Sequence, residues 1–245
     1  MKELKGKVLF VTGGARGIGK GIVKYFVEKG CSVAFCDIDI EQGKIASIET
    51  GADFYYTDAS DARVLQTTMQ EVCDRFGSID IIINNVGIFT TVDLVDADLE
   101  EFDHIIATNL RPVFVTSQFM AKNRASEKEK YGRIINITST RYLQSEPGSE
   151  AYAAAKGGIY SLTHALAISL SDYNITVNSI SPGWVDTGYF PISEADKIQH
   201  PSRRVGRPED VARLCWMLCQ EENDFINAEN IALDGGMTRK MIYLE

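Results

Sequence analysis

An apolar run, Val8 to Val11, passes directly into Thr12-Gly-Gly-Ala-Arg-Gly-Ile-Gly19, and apolar residues then recur at helical spacing: Ile18, Ile22 and Phe26, with Val23 and Val27 beside them. A strand, a glycine-rich turn and an amphipathic helix in immediate succession restrict the chain to an α/β fold built on a parallel sheet. Gly13, Gly17 and Gly19 carry no side chains, so the backbone N–H groups at the start of the helix can approach a pyrophosphate, with Arg16 and Ile18 among them. A glycine triplet alone matches many unrelated loops; its place between a strand and a helix is what gives it weight.

The same alternation continues to the end of the chain. Strands are expected at Ser32 to Cys36, Asp53 to Tyr56, Ile79 to Ile83, Arg133 to Ile137, Thr176 to Ile180 and Ile231 to Leu233. Between them fall helices ending near Gly30, from Gln42 to Ile48, Ala62 to Phe76, Leu99 to Ala121 and Ala151 to Leu170, and one starting at Pro208. Proline followed by Glu209 and Asp210 suits a helix start, since its missing N–H is not needed there and acids favour the positive end of the dipole. The apolar run around Ile81 reads as a strand covered on both faces. A chain of 245 residues without linker or repeat is expected to form one α/β domain with helices on both faces of a doubly wound sheet.

Composition removes several function classes. No apolar run approaches the roughly 18 residues that span a bilayer, and the amino-terminal segment lacks a secretory apolar region, so a cytoplasmic location is expected. A net charge of −9 argues against general nucleic-acid binding. The one basic cluster, Lys122 to Arg133, is interleaved with Glu127 and Glu129 and reads as a solvated helix end and loop. Five cysteines, none in a Cys-x-x-Cys pair, imply reduced thiols. Cys215 and Cys219 share a helix face without further ligands, so core packing is expected there and no metal.

Asp37 closes the second strand 18 residues after Gly19, where a carboxylate can accept from the hydroxyls of an adenosine ribose. A 2′-phosphate would meet like charge there, which favours NAD over NADP. Arg16 argues the other way, because a guanidinium could pair with that phosphate; it could also extend to solvent or cover the adenine. Asp37, placed against the sugar itself, decides for NAD.

A second constellation carries the chemistry. Tyr152 and Lys156 stand four residues apart on one helix, and Ser139 precedes the tyrosine by 13 positions. A tyrosine hydroxyl titrates near pH 10 and serves as a proton shuttle at neutral pH only if a cation lowers it, which a lysine one turn later can do. A further hydroxyl can hold a carbonyl oxygen while hydride reaches its carbon and the tyrosine delivers a proton. With ten tyrosines in the chain the spacing alone is weak: Tyr25 and Lys29 repeat it, with Thr12 again 13 residues earlier, but Tyr25 lies two turns into the first helix and reads as a packing residue. Thr138 rivals Ser139, and only one of two successive strand residues can face the tyrosine.

Together these residues resemble the short-chain dehydrogenase/reductase family over essentially the whole chain. Thr12-Gly13-x-x-x-Gly17-x-Gly19 is similar to its cofactor loop, Asp58 (with Ala59 beside it) to the acid that meets the adenine amine, and Asn84-Asn85-Val86-Gly87 to its Asn-Asn-Ala-Gly signature with valine for alanine. Pro182-Gly183 with Val185 and Thr187 is similar to the segment that anchors the nicotinamide carboxamide, and Asp234-Gly235-Gly236 to the family's last strand end. The resemblance selects Ser139 over Thr138 and implies a seven-stranded Rossmann-type sheet, hydride exchange with a secondary alcohol or ketone, and a catalytic tetrad of Tyr152 as acid, Lys156 as activator and ribose ligand, Ser139 as orienter and Asn109 as anchor of a water chain. Asn85 and Gly87 join the cofactor residues.

A short substrate lid is expected at 188–207, with Tyr189, Phe190, Pro191 and Ile192 at its start. Small residues after Tyr152 permit close helix approach, some of it against the chain's own sheet, and the resemblance implies a homodimer or homotetramer. Thr91, Thr140, Arg141, Tyr142, Leu143 and Tyr189 are expected to line the substrate pocket; Arg141 could receive a carboxylate or merely a surface acid, and the surface acid is the expectation. The alternatives are a 3-oxoacyl-carrier-protein reductase using NADPH, which Asp37 and the acidic balance disfavour, and a catalytically silent dinucleotide-binding scaffold, which the intact Tyr152 and Lys156 disfavour.

Overall fold

The computed structural model describes residues 4–241, so the ends of the expected single domain, residues 1–3 and 242–245, lie outside the described residues. Seven parallel strands form one sheet: β1 Val8–Thr12, β2 Ser32–Asp37, β3 Asp53–Tyr56, β4 Ile81–Asn84, β5 Gly132–Ile137, β6 Ile175–Pro182 and β7 Asn230–Leu233, in the order β3-β2-β1-β4-β5-β6-β7. The chain winds outward from β1 to β3, then returns to start β4 on the other side of β1. Connections therefore diverge between β1 and β4 and leave a crevice at their carboxyl ends, the place where open α/β sheets bind ligands.

The strands are apolar throughout because both faces are covered. In β1, Leu9 and Val11 face one side and Val8 and Phe10 the other; in β4, Ile81 and Ile83 oppose Ile82. Helices α1 (Gly17–Glu28) and α8 (Pro208–Cys219) cover the first side with Ile22, Phe26, Val211, Cys215 and Leu218. Helices α3 (Ala62–Phe76), α5 (Arg111–Asn123) and α6 (Glu150–Ser169) cover the second with Leu65, Met69, Met120 and Ala167. Helix α2 (Ile40–Thr50) follows β2, α4 (Leu99–Asn109) precedes α5, and the short α7 (Glu194–Ile198) lies between β6 and α8. Tyr25 packs edge-on against Trp216, ring centroids 6.2 Å apart, and Cys215 and Cys219 are buried in the core. No helix among the described residues is long and apolar enough to cross a membrane.

Two sequence expectations change. The single helix expected from Leu99 to Ala121 is two, ending at Asn109 and restarting at Arg111. Pro112 has no N–H to offer the carbonyl of Thr108, and Val113 donates instead to Leu110, 3.2 Å. The basic cluster is only partly solvated: Arg124 and Arg133 are buried. Arg124 donates to Asp80 at 3.2 Å and to the Ile79 carbonyl at 2.7 Å, while Asp80 accepts the Val8 N–H at 2.9 Å. The pair ties the end of α5 to the starts of β1 and β4, and a buried charge of this kind persists only when so partnered. Arg133 lies over the Tyr131 ring, 4.4 Å from its centroid, and donates to the Gly132 carbonyl.

Candidate active site

The glycine turn is held in shape by its neighbours across the crevice. Thr12, fully buried, accepts the N–H groups of Asn85 and Val86 at 3.0 and 3.2 Å. The Asn85 side chain donates to the carbonyls of Thr12 and Gly13, so it fixes the turn from behind. A Cβ at Gly19 would lie 2.0 Å from the Gly13 carbonyl oxygen, and Gly13 and Gly17 adopt φ of 69° and 51°, so glycine is demanded at all three. Arg16, the N-cap of α1, makes no side-chain capping bond, which leaves first-turn N–H groups of a 12-residue helix free to face an anion.

A cavity of about 620 Å³ runs from this turn to α6. At its nucleotide end it is lined by Gly13, Arg16, Gly17, Ile18, Asp37, Asp58 and Ala59, and then by Asn85, Gly87 and Thr187. Asp37 accepts the N–H groups of Ala15 and Asp39, at 3.0 and 3.1 Å, and as a carboxylate with about four acceptor sites retains room for a ligand's hydroxyls. Arg16 is exposed to solvent but does not stand free: it pairs with Asp39 and donates to the Tyr189 hydroxyl at 3.4 Å. Asp58 accepts from the Ser60 N–H and hydroxyl. Three expected residues lie off the lining. Gly19 is packed behind the turn; Val185 turns its side chain toward Gly206 and the core; Asn109 stands one layer back.

At the other end, Tyr152 and Lys156 project from consecutive turns of α6, and Ser139 follows β5. Ser139 lies beside Tyr152, near enough to favour the ionised phenol, and its hydroxyl accepts the Arg141 N–H at 3.2 Å. Thr138 spends its hydroxyl on Ser181 and the Ile180 carbonyl. Lys156 is buried, donates to the Ile137 carbonyl at 2.9 Å and holds its ammonium 5.5 Å from the Tyr152 ring centroid. Asn109 grips the backbone of Ile88, accepting its N–H at 2.8 Å and donating to its carbonyl at 2.9 Å. Gly87 sits between: a Cβ there would be 3.4 Å from the Lys156 ammonium and 3.5 Å from the Asn109 carboxamide oxygen.

The acidified phenol expected from the sequence is not what this cavity produces. Burial pushes the Tyr152 phenol above its ordinary value, opposed by the Ser139 hydroxyl and the charge of Arg141. Burial likewise pushes Lys156 down to about 8. Both groups lose the water that stabilises their charged forms, and at Tyr152 that loss outweighs what Ser139 and Arg141 return.

A second cavity, of about 830 Å³, opens on the far side of the tyrosine. The two share Phe89, Ser139, Tyr152 and Gly183, so the hydroxyl pair stands at the junction. Of the expected pocket residues, Thr140 and Arg141 line this cavity and Tyr189 lines the first. Thr91 and Leu143 line neither, and Tyr142 stacks on Tyr160 instead, centroids 4.8 Å apart. Phe89, Glu146, Trp184 and Met237 line the second cavity without a signal in the sequence; they come from separate loops and show no period.

Comparison with known proteins accords with this geometry. A family model described as enoyl-(acyl carrier protein) reductase matches residues 13–238. An uncharacterized oxidoreductase of Thermotoga maritima is 40% identical over 99% of this chain and all of its own length. A 3-oxoacyl-[acyl-carrier-protein] reductase of Chlamydia muridarum is 35% identical over 96% of this chain and 98% of its own. The solved structure of an apo SCOR enzyme from Clostridium thermocellum, 39% identical, superposes with a TM-score of 0.89 over 97% of this chain and 95% of its own. The chain belongs to the short-chain dehydrogenase/reductase family, oxidoreductases that work with a nicotinamide cofactor.

Proposed function

We propose that the protein interconverts a secondary alcohol and a ketone on a small molecule, with NAD as its cofactor. One observation carries this reading: the cavity beginning at the glycine turn and the cavity beyond Tyr152 meet at the Ser139 and Tyr152 hydroxyls. The residues of the first cavity fit a dinucleotide, with uncapped helix N–H groups for its pyrophosphate, Asp37 for a ribose, Asp58 and Ala59 for the adenine and Thr187 for the carboxamide. When bound there, the dinucleotide supplies or accepts the hydride.

The chain's own residues handle the proton. In the reductive direction Tyr152 donates its phenolic proton to the substrate oxygen, which Ser139 holds by a second hydrogen bond. The phenol, held above its ordinary value, is protonated at neutral pH, as this direction requires. Lys156 faces the site with its protons and is the residue suited to a ribose, while Asn109, by fixing Ile88, keeps the wall opposite α6 in place. In Tyr152→Phe, turnover should fall by about 10³-fold while dinucleotide affinity changes less than about threefold; single-turnover kinetics beside a binding titration test this, and unchanged turnover would remove the mechanism.

Asp37 and Asp39 support NAD, because two carboxylates at the end of β2 repel a 2′-phosphate and Asp39 already neutralises Arg16. Reduction of a 3-oxoacyl thioester on a carrier protein is a second reading, favoured by the Chlamydia relative and opposed by the net charge of −9. Turnover of an acetoacetyl thioester with NADPH but not NADH would select it. Dimer or tetramer formation is supported by the exposed face of α6, where Gly157 has open space above it and Ile168 is 72% exposed; light scattering decides it. The five free thiols suit a reducing compartment such as the cytoplasm.

A further inference from the structure

The cavity beyond Tyr152 is lined mostly by apolar and neutral polar groups, and among the described residues its charged lining is Arg141 and Glu146 alone. Arg141 is fixed to the catalytic centre at its root, where its N–H donates to Ser139. Its guanidinium lies 4.8 Å from the centroid of the Phe89 ring, and that same ring meets Tyr152 edge-on with centroids 5.0 Å apart. One aromatic ring thus touches both the cation and the phenol, and the positive charge is close enough to act on the phenol's ionisation.

The arginine's own bonds are incomplete. Nη2 pairs with Glu146 at 2.7 Å, but Nη1 is buried and has no hydrogen-bond partner. A guanidinium offers five N–H donors in a planar fork, and a buried donor left without an acceptor is costly. A purely structural role, strapping the loop after β5, explains the Glu146 contact and leaves Nη1 unexplained. That contact is also weak, because the Glu146 side chain is 66% exposed and exposed ion pairs contribute little. A planar anion delivered by a ligand satisfies the fork better than the flexible glutamate does. Phe89, itself 49% exposed, is the ring that lies over the guanidinium on the cavity side.

We propose that Arg141 receives the carboxylate of the substrate, so that the protein acts on hydroxy acids and their oxo-acid counterparts. Glu146 is then the placeholder the substrate displaces. This rests on the reading of Tyr152 as proton donor to the substrate oxygen.

Pyruvate, acetoacetate and levulinate, each against its methyl ester, test the proposal by reduction with NADH in the unaltered protein, Arg141→Met and Glu146→Gln. At least one acid should exceed its ester in kcat/KM by about tenfold, and Arg141→Met should erase that ratio. Glu146→Gln should raise it, because the competing acid is gone. Calorimetric titration of the same acids into the protein with and without NAD reads binding apart from turnover, and Arg141→Met should abolish the heat. An acid-to-ester ratio that Arg141→Met leaves unchanged, or esters preferred throughout, overturns the assignment while the redox reading stands. If no acid or ester is reduced, the calorimetry decides: heat that Arg141→Met abolishes supports carboxylate binding at Arg141, and no heat with any acid overturns the assignment.

Discussion

The two cavities that meet at Tyr152 are built on different principles. The dinucleotide side is made from backbone: Gly13, Gly17 and Gly19 at fixed offsets, uncapped N–H groups, and the Thr12 and Asn85 bonds that hold the turn. The substrate side is made from side chains on the stretches around Phe89, Arg141, Trp184 and Phe190, several of them half exposed. Backbone geometry tolerates almost no substitution and serves one ligand; side chains on loops can change one at a time. This is how a fold keeps its cofactor while varying its substrate.

The largest effect that would sharpen this contrast is expected at Gly19. Gly19→Ala forces a methyl against the Gly13 carbonyl, and dinucleotide affinity measured by fluorescence titration should drop by about a hundredfold or more, with a lower Tm. Retained affinity would break the contrast.

Lys156 joins the two sides and should separate function from stability. Lys156→Met should lower kcat/KM by about 10² to 10⁴-fold, yet raise Tm near neutral pH. Its folded pKa, about 8, lies below the ordinary 10.5, so the unfolded chain binds more protons between those values. The destabilisation is therefore complete below about 8 and relieved as pH rises toward 10.5. Relief of at most about 3 kcal/mol is expected at pH 7, reduced by loss of the bond to the Ile137 carbonyl. Calorimetry at pH 7 and pH 10 should show the gain in the variant shrinking; a gain independent of pH would point to packing instead.

A smaller effect is expected at Asp37. Asp37→Ser should shift the NADH to NADPH preference in kcat/KM by about tenfold toward NADPH, and it should weaken NADH too, because the Ala15 N–H loses its acceptor. The smallest is expected on the substrate side: Phe190, 73% exposed, should on change to Ala alter substrate KM about two- to fivefold and leave dinucleotide affinity alone. An effect on the dinucleotide would show the cavities to be coupled.

The same contrast explains what was legible in the sequence. The strands and the glycine turn could be read because an uninterrupted apolar run and a fixed glycine spacing each have one physical meaning. Helix α4 ended before its expected limit, although Pro112 was the available sign. Burial of Arg124 and Arg133 was hidden, because a partner such as Asp80, 44 residues away, has no local trace. The phenol's ionisation went the other way from expectation, since spacing shows where a cation is but not how much water both groups lose. Around the second cavity, Phe89, Glu146 and Trp184 converge only through the fold.

One feature of the core reaches into the chemistry. Asn84, Asn136 and Thr163 form a buried chain of side-chain bonds, Asn84 to Asn136 at 2.9 Å and Asn136 to Thr163 at 3.0 Å, with Thr116 of α5 donating to Asn84. Thr163 stands seven residues past Lys156 on α6, two turns along the same stripe. β5 therefore clasps that helix twice, through Asn136 and through the Ile137 carbonyl, and carries Ser139 at its own tip. Axial slippage of α6 is blocked at a point remote from any ligand, and the gap between the serine and tyrosine hydroxyls is indexed by the sheet rather than left to a loop.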